Sequence, residues 1–86
     1  MNTDVENMSV RILFFGTTAD LAGQRSIELT LACAATVSEA LSTITNRNNG
    51  FANHKLLVAL NQEYVPIDTK LKDGDELAVF TAVSGG

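Results

Sequence analysis

The chain has 86 residues, 45% of them hydrophobic and 19% charged, with six Lys or Arg against ten Asp or Glu and a formal charge of −4. That length supports one small domain with a single modest core, and no apolar run approaches the ~20 residues of a membrane-spanning helix. The cations Arg11, Arg25, Arg47, Lys55, Lys70 and Lys72 are scattered and form no basic stripe, which argues against nucleic acid and for partners with basic surfaces.

The first segment, MNTDVENMS over residues 1–9, carries acidic side chains and no hydrophobic stretch. It is not a secretory signal and reads as a flexible tail before a domain over residues 10–82. Val10–Gly16, VRILFFG, is apolar on both alternations, the pattern of a central strand with both faces at least partly covered. In TTADLAGQ, Thr17 or Thr18 can cap a short helical turn that Gly23 ends in the left-handed conformation. Ser26–Leu31, SIELTL, alternates as a half-buried strand. In ATVSEALSTITNR, Thr36 and Glu39 form a capping box, and Val37, Ala40, Leu41 and Ile44 recur at helical spacing as one buried stripe. The asparagine-rich NRNNGFANH ends this helix, with Gly50 as its breaker. Lys55–Asn61, KLLVALN, is a strand and NQE a turn. YVPI is a short edge segment, because Pro66 has no N–H to give a ladder. KDGD is a tight turn on Asp73 and Gly74, and ELAVFTAV is the last strand.

One main helix cannot cover both faces of such a sheet, so it packs on one. The most apolar strand, the first, belongs at the centre, parallel to the last. This is an α+β, β-grasp arrangement with a mixed sheet. Its uncovered face gathers Leu13, Phe15, Ala78 and Phe80, with Tyr64 from the edge segment. An apolar cluster left open in this way marks a protein–protein surface.

Familiar catalytic arrangements are absent from the sequence. The six glycines form no phosphate-binding loop. Cys33 and His54 lie in unrelated segments and are too few for a zinc site, so no metal is expected. The lone Cys33 fits a reducing, cytoplasmic compartment. Asp73, Asp75 and Glu76 sit where a tight turn wants them. What remains is the end, TAVSGG. Glycines let a partner approach the backbone closely, and the last four residues reach at most ~14 Å beyond the domain. A terminal carboxylate is ionised at neutral pH and is a poor acyl donor. Activated by an ATP-dependent partner to an acyl-adenylate, it becomes a covalent group carrier. Residues 83–86 therefore read as an extended working tail.

The stretches VRILFFG, LAGQ, LLVALNQEYV, LKDGDELAVF and VSGG resemble the sulfur-carrier small subunits of molybdopterin synthase, ubiquitin-like β-grasp proteins, over Val10 to Gly86. The resemblance implies that Gly86 is adenylated by a ubiquitin-activating-type adenylyltransferase and converted to a thiocarboxylate with sulfur from a donor protein. The tail then enters the large subunit and donates sulfur to cyclic pyranopterin monophosphate, for molybdenum cofactor biosynthesis. It also implies that Gly85 is the slim neighbour the tail needs, and that Phe15, Tyr64 and Phe80 contact partners. Two sulfurs per product imply two small and two large subunits. No cofactor is held by the carrier; ATP is used by the activating partner. The chain is by itself a non-catalytic carrier, part of a sulfurtransferase only with the large subunit. One departure from the family is Thr81-Ala82, where prolines often precede the terminal motif. Carriers for thiamine thiazole or tRNA thiolation, and ubiquitin-like protein modifiers, share the glycine ending. The long TTADLAGQRS segment favours the molybdopterin type, and lysine conjugates would mark a modifier.

Overall fold

The computed structural model describes residues 7–81. Four strands, β1 (Asn7–Phe14), β2 (Ser26–Ala32), β3 (Leu56–Leu60) and β4 (Glu76–Thr81), form one sheet in the order β2-β1-β4-β3. β1 is antiparallel to β2 and parallel to β4, and β3 is antiparallel to β4. The helices are the short α1 (Thr17–Ala22) and the longer α2 (Val37–Arg47). β1 and β4, the first and last strands, thus lie side by side and parallel at the centre. A mixed sheet with its main helix on one face is the expected β-grasp architecture.

α2 starts where its sequence says it should. The Thr36 hydroxyl accepts from the Glu39 N–H at 3.2 Å, and the Glu39 carboxylate accepts from the Thr36 N–H at 2.9 Å. Two orphan donors are thereby satisfied at the first turn. Val37, Ala40 and Ile44 then point into the core. They meet Val10, Ile12 and Phe14 of β1, Leu29 and Leu31 of β2, Val58 of β3, and Leu77 and Val79 of β4. Period-two alternation puts every second strand residue on this face.

Several boundaries differ from the sequence reading. β1 begins at Asn7, three residues before Val10, because Met8 continues the inward alternation and is buried. The asparagine-rich segment is not merely a stop. It forms a 3₁₀ turn, Asn49–Asn53, that delivers Phe51 to the core, stacked on Phe14 with ring centroids 5.8 Å apart. α2 ends at Asn48 in extended conformation, and its side chain accepts from the Gly50 N–H at 3.0 Å. Gly50 is not the left-handed stop; it permits close packing, since a Cβ there would stand 3.0 Å from Leu21.

YVPI forms no strand. Residues Asn61 and Gln62 both have positive φ, 49° and 72°, and Leu60 and Glu63 exchange two backbone bonds across them at 2.7 and 3.0 Å. That is a two-residue hairpin turn of the primed kind. Pairing stops at Glu63, and Pro66 opens a turn in which its carbonyl accepts from the Thr69 N–H at 3.0 Å. At α1 the capping residue is Gly16 (φ 58°), with no side-chain cap; Thr18 is buried and bonded elsewhere. Gly23 does close α1 in the left-handed conformation, φ 73°.

Candidate functional site

The helix-free face of the sheet is divided. Across β1, β4 and β3, Leu13 pairs with Ala78, Ala78 with Ala59, and Phe80 with Leu57. All five are apolar, and none belongs to the buried core. Across the outer half, Ser9 faces Thr30 and Arg11 faces Glu28. Arg11 and Glu28 form an ion pair at 3.8 Å whose side chains are largely in water, an arrangement that contributes little stability. The apolar patch is therefore confined to the β4–β3 side and to one end of the central strands.

Two aromatic residues outside the strands extend it. Phe15 follows β1 directly and is 53% exposed; Tyr64 is 76% exposed. The hairpin turn at Asn61-Gln62 returns Tyr64 over the sheet, where its ring meets Phe80 edge-on with centroids 6.2 Å apart. Such edge contacts are favoured between aromatic rings. The turn itself is braced: the Asn61 amide accepts from the Glu76 N–H and donates to Asp75, both at 3.0 Å. Because β1 and β4 are parallel, Phe15 and the end of β4 at Thr81 lie at the same end of the sheet. Gly85 and Gly86 lie outside the described residues, beyond the strand that ends beside this patch.

Sequence reasoning placed Phe15, Tyr64 and Phe80 on one surface, and the structure pairs Tyr64 with Phe80 directly. It overlooked Leu57, 37% exposed, although the alternation of KLLVALN puts Leu57 and Ala59 opposite Val58. The acidic residues of the tight turn hold backbone. Asp73 accepts from the Ser9 N–H and Asp75 from the Lys72 N–H, each at 2.7 Å. Cys33 is exposed in the turn after β2. Among the described residues, no three His, Cys, Asp or Glu side chains cluster as metal ligands, and no helix is long and apolar enough to cross a membrane.

What this geometry defines is a β-grasp domain with an apolar patch on the helix-free face of its sheet, beside the end of β4. The chain belongs to the ThiS family, which it matches over residues 12–86. It is 38% identical to the molybdopterin synthase sulfur carrier subunit of Haemophilus influenzae, over 90% of this chain and 99% of that protein. It is 30% identical to small archaeal modifier protein 3 of Haloferax volcanii, over 92% of this chain and all of that one. Among solved structures, a putative molybdopterin converting factor subunit 1 from Pyrococcus furiosus superposes with a TM-score of 0.84 at 29% identity, covering 88% of this chain and 99% of that one. A chain from the Helicobacter pylori complex of molybdopterin-converting factor subunits 1 and 2 matches with a TM-score of 0.61 at 26% identity, covering 92% and 100%.

Proposed function

We propose that this chain is the sulfur carrier subunit of a molybdopterin synthase. The observation that carries the reading is the placement of an apolar aromatic patch, Phe15, Leu57, Tyr64 and Phe80, at the end of the sheet from which β4 leads to Gly85 and Gly86. A surface for gripping and a side-chain-free thread are what a carrier needs to deliver a terminal group into another protein's cleft. The Haemophilus relative bears the sulfur-carrier name, and the Helicobacter subunits form a complex; both support a large-subunit partner for this chain.

The chemistry on this reading runs through Gly86. Its carboxylate attacks ATP on an activating enzyme, releasing pyrophosphate and leaving an acyl-adenylate. Hydrosulfide delivered by a donor protein adds at the carbonyl carbon, the bond to AMP breaks, a proton is released, and a thiocarboxylate results. In the large subunit the thiocarboxylate sulfur bonds to cyclic pyranopterin monophosphate, and water then cleaves the acyl–sulfur bond, leaving the sulfur on the pterin and restoring the carboxylate. The β-grasp domain holds the thread, and partner proteins supply the catalytic groups.

The test is intact-mass measurement after incubation with ATP, the activating enzyme and a sulfur donor. Replacement of one oxygen by sulfur adds roughly 16 Da, and the added mass disappears when the large subunit and pterin precursor are supplied. Deleting Gly86 abolishes the transfer and barely changes the melting temperature, because a glycine has no side chain to add to a core. Normal sulfur transfer by the truncated chain would overturn the reading. The Haloferax relative favours a second role as a protein modifier; its signature is an isopeptide bond between Gly86 and lysine side chains in place of the thiocarboxylate.

A further inference from the structure

Thr18 is the one buried polar side chain among the described residues, with no exposed surface at all. Its hydroxyl accepts from the Phe15 N–H at 2.9 Å. Its single proton lies between two carbonyls, Val79 at 2.7 Å and Phe15 at 2.9 Å. A valine of the same shape would fill this position without the cost of burying a hydroxyl. The hydroxyl instead bonds two pieces of backbone, one close by and one 61 residues from Thr18 in sequence. One is the β1–α1 turn that presents Phe15. The other is β4 at the residue before Phe80, two residues before the strand ends at Thr81.

We propose that Thr18 is a positioning residue for partner docking. Its hydroxyl sets the spacing between Phe15 and Phe80 and ties both to the strand that leads into the tail. This rests on the carrier reading above, in which Phe15 and Phe80 contact the large subunit. Two physical features make the coupling direct. α1 is only six residues long and has no side-chain cap; backbone bonds such as Thr18 N–H to the Phe15 carbonyl and Asp20 N–H to the Gly16 carbonyl close the turn, and the Thr18 hydroxyl is the side-chain bond that joins it to Val79 of β4. Phe15 is half in water and, among the described residues, makes no aromatic contact of the kind that Tyr64 and Phe80 share. Its direction is therefore set by its backbone, and that backbone is held through Thr18.

Two substitutions separate positioning from simple stability. Thr18→Val keeps the volume and removes the hydroxyl. Thr18→Ser keeps the hydroxyl and removes a methyl group. Affinity for the large subunit is measured by calorimetry well below the melting temperature of every variant. Thr18→Val weakens binding by about tenfold, the order expected when a buried N–H and carbonyl lose their shared partner. Thr18→Ser loses stability through its small cavity and keeps affinity within about twofold. If affinity simply tracks stability across the two, or if Thr18→Val binds like the unaltered chain, the proposal is overturned.

Amide hydrogen exchange of the free chain gives an independent reading. The Phe15 amide exchanges faster in Thr18→Val than in Thr18→Ser; equal rates would also overturn the proposal. If the unaltered chain shows no binding to the large subunit, the carrier reading fails, while the exchange result still decides whether Thr18 holds the turn. Should Thr18→Val not fold, Thr18→Ala against Thr18→Ser carries the same comparison.

Discussion

The two faces of the sheet are made by the same strands and have opposite fates. On β4, Leu77 and Val79 are wholly buried against α2, while Ala78 and Phe80, one residue along, stay partly open. On β1, Ile12 is buried and Leu13 lies open beside Ala78. Hydrophobicity alone does not separate them, since both faces are apolar at this end. What separates them is coverage. The single long helix, the 3₁₀ turn with Phe51 and the loop residue Leu71 all pack on one side. The open side keeps Phe15, Leu57 and Tyr64 exposed, and on the carrier reading proposed above that apolar surface is where a partner fits.

The comparison breaks most sharply at one residue from each face. Ile12→Ala, on the covered face, lowers stability by about 2–5 kcal/mol, the range for truncating a fully buried aliphatic side chain; urea unfolding measures it. Phe80→Asp, on the open face, acts chiefly on association. It puts a charge into an apolar contact and weakens binding to the large subunit by at least about tenfold, while stability falls by only about 1 kcal/mol. Equal effects of the two substitutions on stability would mean that Phe80 is core, and unchanged affinity in Phe80→Asp would mean that the open face is not the docking surface. The smallest effect sharpens the picture at the turn that brings Tyr64 to Phe80. Gln62 holds φ 72° without being glycine. Gln62→Gly relieves left-handed strain of about 1–2 kcal/mol and gives back part of it as chain entropy, leaving a net gain of about 0.5 kcal/mol. A loss of stability in this variant would show that the Gln62 side chain is engaged in its surroundings.

Sequence reading succeeded where a local rule also decides the tertiary outcome. The capping box at Thr36 and Glu39 starts α2 in isolation as in the fold, and the two-residue period of a strand splits VRILFF and ELAVF into two opposed sets, whichever of them meets the helix. It failed where the answer depends on what approaches from afar. Nothing local to NRNNGFANH says that Phe51 will stack on Phe14, and a polar run around one phenylalanine looks like plain loop. Met8 sits behind an acidic stretch that hides the last inward step of β1. In YVPI, hydrophobic composition suggested pairing, but Pro66 and the hairpin geometry turn the chain away after Glu63. Thr18 looked like a helix cap because threonine often is one. Its actual partners are backbone groups at Phe15 and Val79, the second far away in sequence.

From the order of residues alone came the element types, the helix start, the mixed sheet with one covered face, and Phe15, Tyr64 and Phe80 as surface aromatics. These follow from periodicity and capping, which act over a few residues. Tertiary contact was needed to enrol Met8, Phe51 and Leu71 in the core, to set Tyr64 against Phe80, and to bring one buried hydroxyl between the turn after β1 and Val79 of β4. Such outcomes depend on which surfaces meet when the chain closes on itself, and no window of neighbouring residues contains that information.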